Sequence, residues 1–182
     1  MKVVETLFPE VKILEPTIYK DERGFFMEAY NDEKICSLLG DSIRFVQDNQ
    51  SHSKKGVLRG LHYQLAPMGQ GKLVRVVSGE VLDVVVDVRE SSTAFGHWFS
   101  VILSSQNHRQ LWIPPGFAHG FYVRSETADY LYKTTQYYSP QHERSIVWND
   151  SALGIDWSIS SAKPIISPKD AGAPSFELAE HC

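Results

Sequence analysis

His62 is the first candidate for a chemically active side chain, and it lies in residues 59–64, whose alternating side-chain types are typical of a β-strand. On such a strand it shares a face with Leu58, Gly60 and Gln64. A histidine on this face is either a satisfied core residue or a general base, since the ordinary pKa of imidazole lies near neutrality. Gly60 weakens a strand but leaves room for a ligand to approach, which favours a site.

A lysine and an aspartate follow on the next two predicted strands. Ser78 and Gly79 separate two valine-rich runs and predict a two-residue hairpin turn. In that register, Lys72 and Asp83 lie on one face among valines. Burying charge is unfavourable unless the charges are paired. The two residues are therefore either a structural ion pair or charges held ready for a ligand.

Two further segments contain candidate groups. Residues 114–119 read Pro-x-Gly-x-x-His, a tight turn that presents His119 at the start of a strand. Residues 129–138 are a predicted strand with Tyr130, Tyr132 and Tyr138 along one face. From the residues alone, this tyrosine stripe is typical of core packing.

The elements that must hold these residues are mostly strands. Apolar and β-branched runs occupy residues 57–64, 72–77, 80–88, 98–103, 110–113, 120–123 and 129–138, with turn residues between them. This spacing predicts a β-sandwich or barrel. One helix is predicted between Asn31, as N-cap, and Gly40, as the stop. After Trp157 the chain is rich in proline and is expected to wrap the main body irregularly.

Composition narrows the function classes. The 182 residues include 18 lysines and arginines and 22 aspartates and glutamates, a net charge of −4, which argues against a nucleic-acid binder. No apolar run reaches the roughly 18 residues of a membrane span, and no signal-peptide pattern is present. The two cysteines, Cys36 and Cys182, predict neither a disulfide framework nor a thiolate zinc site. We therefore expect one soluble, cytoplasmic domain over residues 1–182 with no membrane partner.

The order of these motifs resembles the two-motif layout of the cupins. Metal-binding cupins use His-x-His, a glutamate and a later histidine, whereas here Gln64 takes the second histidine position and Lys72 lies near the expected acidic ligand. Two histidines without a carboxylate make a poor metal site. The resemblance implies an all-β, cupin-type double-stranded β-helix (jelly-roll) barrel without a metal, with one or two short helices and an irregular C-terminal tail.

Longer blocks resemble the dTDP-4-dehydrorhamnose 3,5-epimerase family and cover most of the chain. They lie at residues 21–28, 47–51, 56–64, 70–75, 113–121, 130–133, 143–150 and 167–170. One departure is Trp157-Ser158, where the family usually has Trp-Pro, and it touches no implied catalytic position. The resemblance implies inversion of C3 and C5 in dTDP-4-dehydro-6-deoxy-D-glucose, a step of dTDP-L-rhamnose biosynthesis.

The implied reaction assigns roles to a few residues. Both carbons flank the C4 ketone, so each proton is lost through an enolate, and no step requires a metal or redox cofactor. By resemblance, His62 is the base, Tyr132 the proton donor on the opposite face, and Lys72 the group that stabilises the enolate. The family places a carboxylate that supports the base at Asp170, whereas the hairpin argument makes Asp83 a rival.

The resemblance also implies which side chains contact the substrate. Arg23 and Arg59 suit the diphosphate, because guanidinium groups match phosphate oxygens, and Phe26 and Tyr138 could stack on thymine. Arg75 alternates away from the Lys72 face and is expected to be a surface or structural arginine. The implied contact residues are Arg23, Phe26, Glu28, Gln47, Asp48, Asn49, Arg59, Lys72, His119, Tyr138, Glu143 and Lys169.

Three other functions and the assembly remain open at this point. The alternatives are a single-site C3 or C5 epimerase, a metal-dependent cupin enzyme, and a non-catalytic nucleotide-sugar binding module. The resemblance implies a homodimer, with a core of about residues 17–150, an N-terminal dimerisation segment and a C-terminal wrap. In that arrangement Arg23 and Glu28 complete the pocket of the other subunit.

Overall fold

Two antiparallel sheets face each other in a computed structural model that describes residues 1–40, 42–159 and 163–182. The six-stranded sheet has the order β1 (Lys2–Glu5), β2 (Lys12–Glu15), β10 (Gln110–Ile113), β7 (Lys72–Ser78), β12 (Thr127–Thr134) and β5 (Gln47–Lys54). The five-stranded sheet has the order β13 (Glu143–Ser145), β6 (Leu58–Gln64), β11 (Phe117–Val123), β8 (Glu80–Asp87) and β9 (Trp98–Ser104). A separate hairpin joins β3 (Ile18–Asp21) to β4 (Gly24–Met27).

The chain winds as a jelly roll, which confirms the expected all-β cupin-type barrel. Strands β5 to β8 alternate between the two sheets, so neighbours in sequence face each other across the interior. The hairpin expected at Ser78 and Gly79 is therefore wrong, because β7 and β8 belong to different sheets. Gly79 instead forms a corner with φ +82°, where an added Cβ would lie 2.0 Å from the carbonyl oxygen of Thr127. Lys72 and Asp83 still meet inside the barrel, each on the inner face of its own sheet.

Alternation along the strands separates an interior core from two outer layers. The interior cluster includes Val74, Val76, Val81, Val85 and Phe121 from both sheets. The next residues along the five-stranded sheet face outward and pack under the C-terminal tail, in a cluster that includes Leu82, Val84, Ile146, Leu153 and Trp157. Burial of these apolar side chains on both faces fixes the register of the strands that carry the polar groups.

A one-residue bulge in β6 changes which side chains face the interior. His119 pairs with His62, but Phe121 pairs with Arg59, so β6 contains one extra residue at this point. The expectation that Leu58 shares a face with His62 is therefore wrong: Leu58 packs in the outer cluster, and Arg59 turns toward the interior with His62.

Gly60 is required at the bulge for a reason other than ligand access. Its φ is +113°, a conformation that side chains disfavour, and an added Cβ would lie 2.6 Å from the Cα of Gly120. The glycine therefore allows β6 and β11 to approach closely where the two histidines meet.

Helix α1 (Asp32–Leu39) lies between β4 and β5 in the chain, and helix α2 (Pro168–Ala171) follows the last strand. Helix α1 begins at Asn31, whose side chain accepts a hydrogen bond from the Lys34 amide, and ends at Gly40, as predicted. Helix α2 is a single turn, and a 3-10 turn follows at Phe176–Leu178. No helix in the described part of the chain is long and apolar enough to cross a bilayer.

Two strand boundaries differ from the sequence expectation. β11 begins at Phe117 and so includes His119, whereas the predicted strand began at residue 120. β12 ends at Thr134, so Tyr138 lies in the following loop and the expected stripe of three tyrosines on one strand is wrong. The six-stranded sheet also begins at Lys2, well before the core start expected near residue 17.

Candidate active site

A cavity of about 630 Å³ lies inside the barrel, and both sheets supply its walls. His62 comes from the five-stranded sheet, Lys72 and Tyr132 come from the six-stranded sheet, and α2 adds Asp170. Ten of the fifteen residues implied by the sequence line this one cavity. They are Asn49, Arg59, His62, Lys72, His119, Tyr132, Tyr138, Glu143, Lys169 and Asp170.

His62 is held by a carboxylate from the C-terminal tail. Its Nε2 lies 2.6 Å from Oδ1 of Asp170, and the aspartate side chain is almost fully buried. Although burial by itself raises the Asp170 pKa, the hydrogen bond and charge of His62 hold that pKa below its ordinary value. Asp170 is therefore a carboxylate that accepts a hydrogen bond from Nε2. The other ring nitrogen, Nδ1, makes no hydrogen bond to the described residues and is left for a ligand.

The tail positions Asp170 through backbone contacts with β6. The amide of Leu58 donates to the carbonyl of Ile165, and Val57 pairs with Ile165 in a parallel bridge. Ser167 then caps α2 by accepting a hydrogen bond from the amide of Asp170. The rival carboxylate, Asp83, contacts a different histidine, described below.

Lys72 places a buried ammonium beside β6, the strand that carries His62. Its Nζ donates to the carbonyl of His62 at 3.2 Å. Burial lowers the pKa of Lys72 to about 8, with the carboxylates of Asp83 and Glu143 opposing that decrease. At neutral pH the side chain is mostly protonated, so it presents a positive charge in a poorly solvated cavity, where charge acts more strongly than in water.

Tyr132 stands on the wall opposite His62. Its hydroxyl makes no hydrogen bond to any residue that the structure describes, so it faces the cavity free to bind a ligand. Burial raises the pKa of Tyr132, the charge of Arg59 opposes this increase, and Glu143 adds to it. The phenol therefore keeps its proton at neutral pH and can donate it.

A polar cluster surrounds Glu143 at the edge of the cavity. Its carboxylate accepts hydrogen bonds from Tyr138 Oη at 2.8 Å and from Lys169 Nζ at 2.5 Å. Burial alone raises the Glu143 pKa, but these two hydrogen bonds bring it below its ordinary value. Gln47 supports the same region, since it accepts from the amide of Tyr138 and donates to Asn49.

Arg59 supplies a second positive charge. Its Nε donates to Ser53 Oγ at 3.1 Å, while its two terminal nitrogens make no hydrogen bond within residues 1–40, 42–159 and 163–182. A guanidinium anchored at one nitrogen keeps its forked end available for phosphate oxygens.

Three implied contact residues lie away from this cavity. Arg23 has an 86% exposed side chain and pairs with Asp21 in the β3–β4 hairpin. Phe26 is 69% exposed on the same hairpin. Glu28 pairs with Lys34 at 2.7 Å near the start of α1. None of the three lines the cavity that holds His62.

Asp48 is also directed away from the cavity. It alternates with Asn49 along β5, so its side chain lies on the outer face of the sheet, where it pairs with Lys133 at 2.8 Å. β5 is the edge strand of its sheet.

Two interior features were missed by the sequence reasoning. Asp83, His119 and Tyr130 form a hydrogen-bonded network inside the barrel. The sequence pattern predicts only a packing role for Tyr130. Gln64 does face the cavity, but its amide group binds the backbone of Met68, Tyr137 and Ser139. No local pattern separates a glutamine bound in this way from one that faces a ligand. Within the described residues, no group of three or more His, Cys, Asp or Glu side chains is placed to hold a metal ion.

The arrangement combines a carboxylate-supported imidazole, a protonated phenol on the opposite wall and a buried ammonium between charged neighbours. Such a set can remove a proton from one face of a carbon acid, stabilise the resulting anion and return a proton to the other face. Arg59 and Lys169 add positive charge for an anionic part of the same ligand.

Comparison with known proteins gives consistent matches over nearly the whole length. The family model described as dTDP-4-dehydrorhamnose 3,5-epimerase matches residues 5–177. A dTDP-4-dehydrorhamnose 3,5-epimerase of Salmonella typhimurium is 56% identical over 179 residues, which cover 98% of this chain and 97% of that protein.

Solved structures agree with these sequence matches. The 3,5-epimerase of Legionella pneumophila, in complex with dTDP-4-keto-L-rhamnose, superposes with a TM-score of 0.93 at 54% identity, covering 97% of this chain and 93% of that one. A 3'-monoepimerase of Streptomyces bikiniensis, in complex with dTDP-quinovose, superposes with a TM-score of 0.90 at 32% identity, covering 95% and 87%.

Proposed function

Because the chain belongs to the dTDP-4-dehydrorhamnose 3,5-epimerase family, we propose that it converts dTDP-4-dehydro-6-deoxy-D-glucose to dTDP-4-dehydro-L-rhamnose. This isomerase reaction inverts C3 and C5, the two carbons beside the C4 ketone, and supplies dTDP-L-rhamnose biosynthesis. Each inversion removes one proton and returns one proton, so the reaction has no net redox change. The product differs from the substrate only in configuration.

His62 acts as the base in this proposal. Since Nε2 donates to Asp170, the lone pair of Nδ1 can accept the proton from C3 or C5. The C–H electron pair then forms the carbon–carbon double bond of an enolate, and negative charge moves to the C4 oxygen. Asp170 stabilises the imidazolium that results, in the way that a carboxylate supports histidine in other dyads.

Lys72 and Tyr132 complete the step. The ammonium of Lys72 stabilises the enolate oxygen, because a buried and fixed positive charge requires little reorganisation when negative charge develops. Tyr132 then gives its proton to the carbon from the opposite face, which inverts the centre. The placement of His62 and Tyr132 on opposite walls of one cavity, on different sheets, is the observation that carries this proposal.

The charged and aromatic groups at the cavity edge bind the remaining parts of the substrate. Arg59 and Lys169 offer positive charge to the diphosphate, and Tyr138, which is 52% exposed in its loop, offers a ring face to thymine. Gln47 and Asn49 lie one strand repeat apart and orient one another through an amide hydrogen bond of 2.9 Å. These contacts distinguish a nucleotide-linked sugar from a free sugar.

We also propose a homodimer in which the β3–β4 hairpin reaches the partner. The hairpin carries three exposed aromatic side chains: Tyr19, Phe25 and Phe26 are 62%, 56% and 69% exposed. Exposed aromatic side chains on a projecting hairpin mark a contact surface. Arg23 and Glu28 would then complete the cavity of the second subunit.

Proton exchange with solvent tests the reaction directly. The protein is incubated in D2O with dTDP-4-dehydro-6-deoxy-D-glucose and a chelator, and a 4-keto reductase traps the product for NMR. We expect deuterium at both C3 and C5 and the L-rhamnose configuration. Deuterium at one carbon only would identify a single-site epimerase, as in the 3'-monoepimerase relative, and activity lost on chelation and restored by a metal would identify a metal-dependent enzyme. Binding without exchange would leave a nucleotide-sugar binding module.

A further inference from the structure

A second histidine–carboxylate pair lies in the same cavity, and the proposed proton transfers do not use it. Nε2 of His119 lies 3.0 and 3.1 Å from the two carboxylate oxygens of Asp83. The hydroxyl of Tyr130 lies 2.5 Å from Oδ2 of Asp83 and 3.1 Å from the same Nε2. Asp83 is 0% exposed and Tyr130 is 1% exposed, so protein groups rather than water satisfy this network.

Hydrogen-bond chemistry fixes where the protons lie. Burial and the neighbouring carboxylate raise the pKa of Tyr130 well above its ordinary value, so its hydroxyl keeps a proton and donates it to Asp83. A lone pair on Nε2 of His119 would face two carboxylate oxygens, which is repulsive. Nε2 therefore carries the hydrogen and donates it to Asp83. The other nitrogen, Nδ1, makes no hydrogen bond to the described residues, while the ring lines the cavity.

Charged groups from four strands decide the charge of the ring. Burial lowers the pKa of His119; Asp83 on β8 opposes this decrease, and Lys72 on β7 and His62 on β6 add to it. β12 contributes Tyr130, which is neutral as argued above. The imidazole is therefore neutral at physiological pH, and its Nδ1 presents a lone pair.

We propose that Asp83 and Tyr130 are positioning residues that hold His119 in the Nε2–H form, so that its Nδ1 accepts a hydrogen bond from a hydroxyl of the bound sugar. This inference rests on the proposed function for the identity of the ligand, a hexose with free hydroxyl groups at C2 and C3. It gives the two histidines different tasks. His62 accepts a proton from carbon, whereas His119 accepts a hydrogen bond that orients the sugar ring over His62.

The variant Asp83→Asn reverses the hydrogen-bond pattern with little change in shape. The new amide oxygen still accepts from Tyr130, and the amide NH2 donates to Nε2 of His119. The ring must then carry its hydrogen on Nδ1, which turns the acceptor in the cavity into a donor. Tyr130→Phe is the second variant. It removes the hydroxyl that donates a hydrogen bond to the Asp83 carboxylate. The carboxylate then stabilises the imidazolium of His119 more strongly, so the His119 pKa rises.

Long-range 1H–15N NMR of protein labelled at histidine reads the tautomer without substrate, and His119→Gln assigns the signal. We expect Nε2–H in the wild type, Nδ1–H in Asp83→Asn, and a higher His119 pKa in Tyr130→Phe. Loss of the acceptor reduces kcat/KM of Asp83→Asn by about 10- to 100-fold. Tyr122→Phe is the matched control, because Tyr122 packs in the outer cluster and makes no side-chain hydrogen bond to the described residues.

The results separate this inference from the reaction itself. An Nδ1–H signal in the wild type, or an unchanged tautomer in Asp83→Asn, would overturn the positioning role even if both carbons exchange. So would a Tyr130→Phe variant that is less stable but has an unshifted His119 titration, since that is the result of a packing role alone. Correct tautomers in a wild type that exchanges no deuterium would instead refute the proposed reaction and leave the positioning of His119 intact.

Discussion

Nε2 of His62 and Oδ1 of Asp170 lie 2.6 Å apart although 108 positions separate them in the sequence. The histidine belongs to a central strand of the barrel, whereas the aspartate arrives on a short helical turn of the tail that packs beside that strand. In the proposed mechanism the tail is thus part of the catalytic apparatus, because it fixes which ring nitrogen of His62 carries hydrogen.

Asp170→Asn should abolish most of the activity while leaving binding intact. The amide NH2 would donate to Nε2, so Nδ1 would carry the hydrogen and could no longer accept a proton from carbon. Loss of the correct tautomer in a histidine–carboxylate dyad costs about 10²- to 10⁴-fold in kcat. Product formation and calorimetric binding of the dTDP-sugar measure the two effects. Glu177→Gln, an exposed carboxylate on the same tail, is the control; equal losses in both variants would refute the role of Asp170.

Tyr132→Phe should separate proton removal from inversion. His62 can still take the proton and return it to the same face, so deuterium enters from D2O while the configuration stays unchanged. We expect inversion to fall by about 10²-fold or more, in the range typical of a lost general acid, with exchange less affected. Tyr137→Phe, which alters a tyrosine that is 60% exposed in the neighbouring loop, should retain both activities. Normal inversion in Tyr132→Phe would assign the proton donor to another group.

The strand spacing predicted a β-sandwich or barrel, because it reflects local alternation and turn chemistry, whereas the cupin-type barrel was implied by the family resemblance. Lys72 and Asp83 were expected on one valine-lined face, and they do share the interior. The reason differs, however, since Ser78 and Gly79 turn a corner between sheets rather than close a hairpin. A serine–glycine turn has the same local sequence in both cases, and the long-range pairing of β7 with β10 and β12 decides between them.

Other parts of the site depend on contacts that local sequence does not encode. The bulge at Gly60, which turns Arg59 inward, arises where β11 approaches the backbone of β6. Asp170 could be linked to His62 only through the family resemblance, because nothing within its own segment indicates which strand it reaches. The sequence pattern predicts Tyr130 as a core residue, which it is by burial, but its hydroxyl also contacts Asp83 and His119.

The rate should fall on the alkaline side as Lys72 loses its proton. Burial lowers the Lys72 pKa to about 8, so the group is charged below that pH and becomes neutral as the pH rises through it. Because enolate stabilisation requires the charge, kcat/KM should decline with a midpoint of about 8 in the wild type. Lys72→Met should have low activity without that decline, and Lys54→Met, on the exposed face of β5, should match the wild type. A wild-type kcat/KM that stays constant from pH 7 to 9 would contradict this role, because burial of a lysine shifts its titration into this range.

Gly60→Ala should destabilise the fold strongly. The added Cβ would lie 2.6 Å from the Cα of Gly120 and 2.7 Å from the carbonyl oxygen of His119, both rigid backbone atoms, in a conformation with φ +113°. Backbone strain and overpacking together should lower the free energy of unfolding by about 2–5 kcal/mol. Gly154→Ala is the control: its φ is +58° and no atom lies within 4 Å of the new Cβ. It should cost only about 1 kcal/mol. Similar melting temperatures for the two variants would show that β6 and β11 can separate without penalty.

The position of Arg23 predicts that each cavity is shared between two subunits. Arg23 lies on the exposed β3–β4 hairpin and not at the cavity of its own chain, so Arg23→Ala should lose affinity for the diphosphate if the hairpin completes the partner's site. His62→Ala removes the base within its own cavity. Each variant alone should therefore be poorly active.

Mixing the two variants distinguishes a shared cavity from a self-contained one. In a heterodimer of Arg23→Ala and His62→Ala, one cavity carries both defects and the other carries neither. Unfolding and refolding equal amounts together should thus restore about a quarter of the wild-type sites, because half of the dimers are mixed and each has one intact site. In the control experiment, Arg124→Ala is mixed with His62→Ala in place of Arg23→Ala. Arg124 pairs with Glu80 outside the cavity, so Arg124→Ala should be fully active on its own. No recovery on mixing, or a monomer in sedimentation equilibrium that has full activity, would refute the shared site.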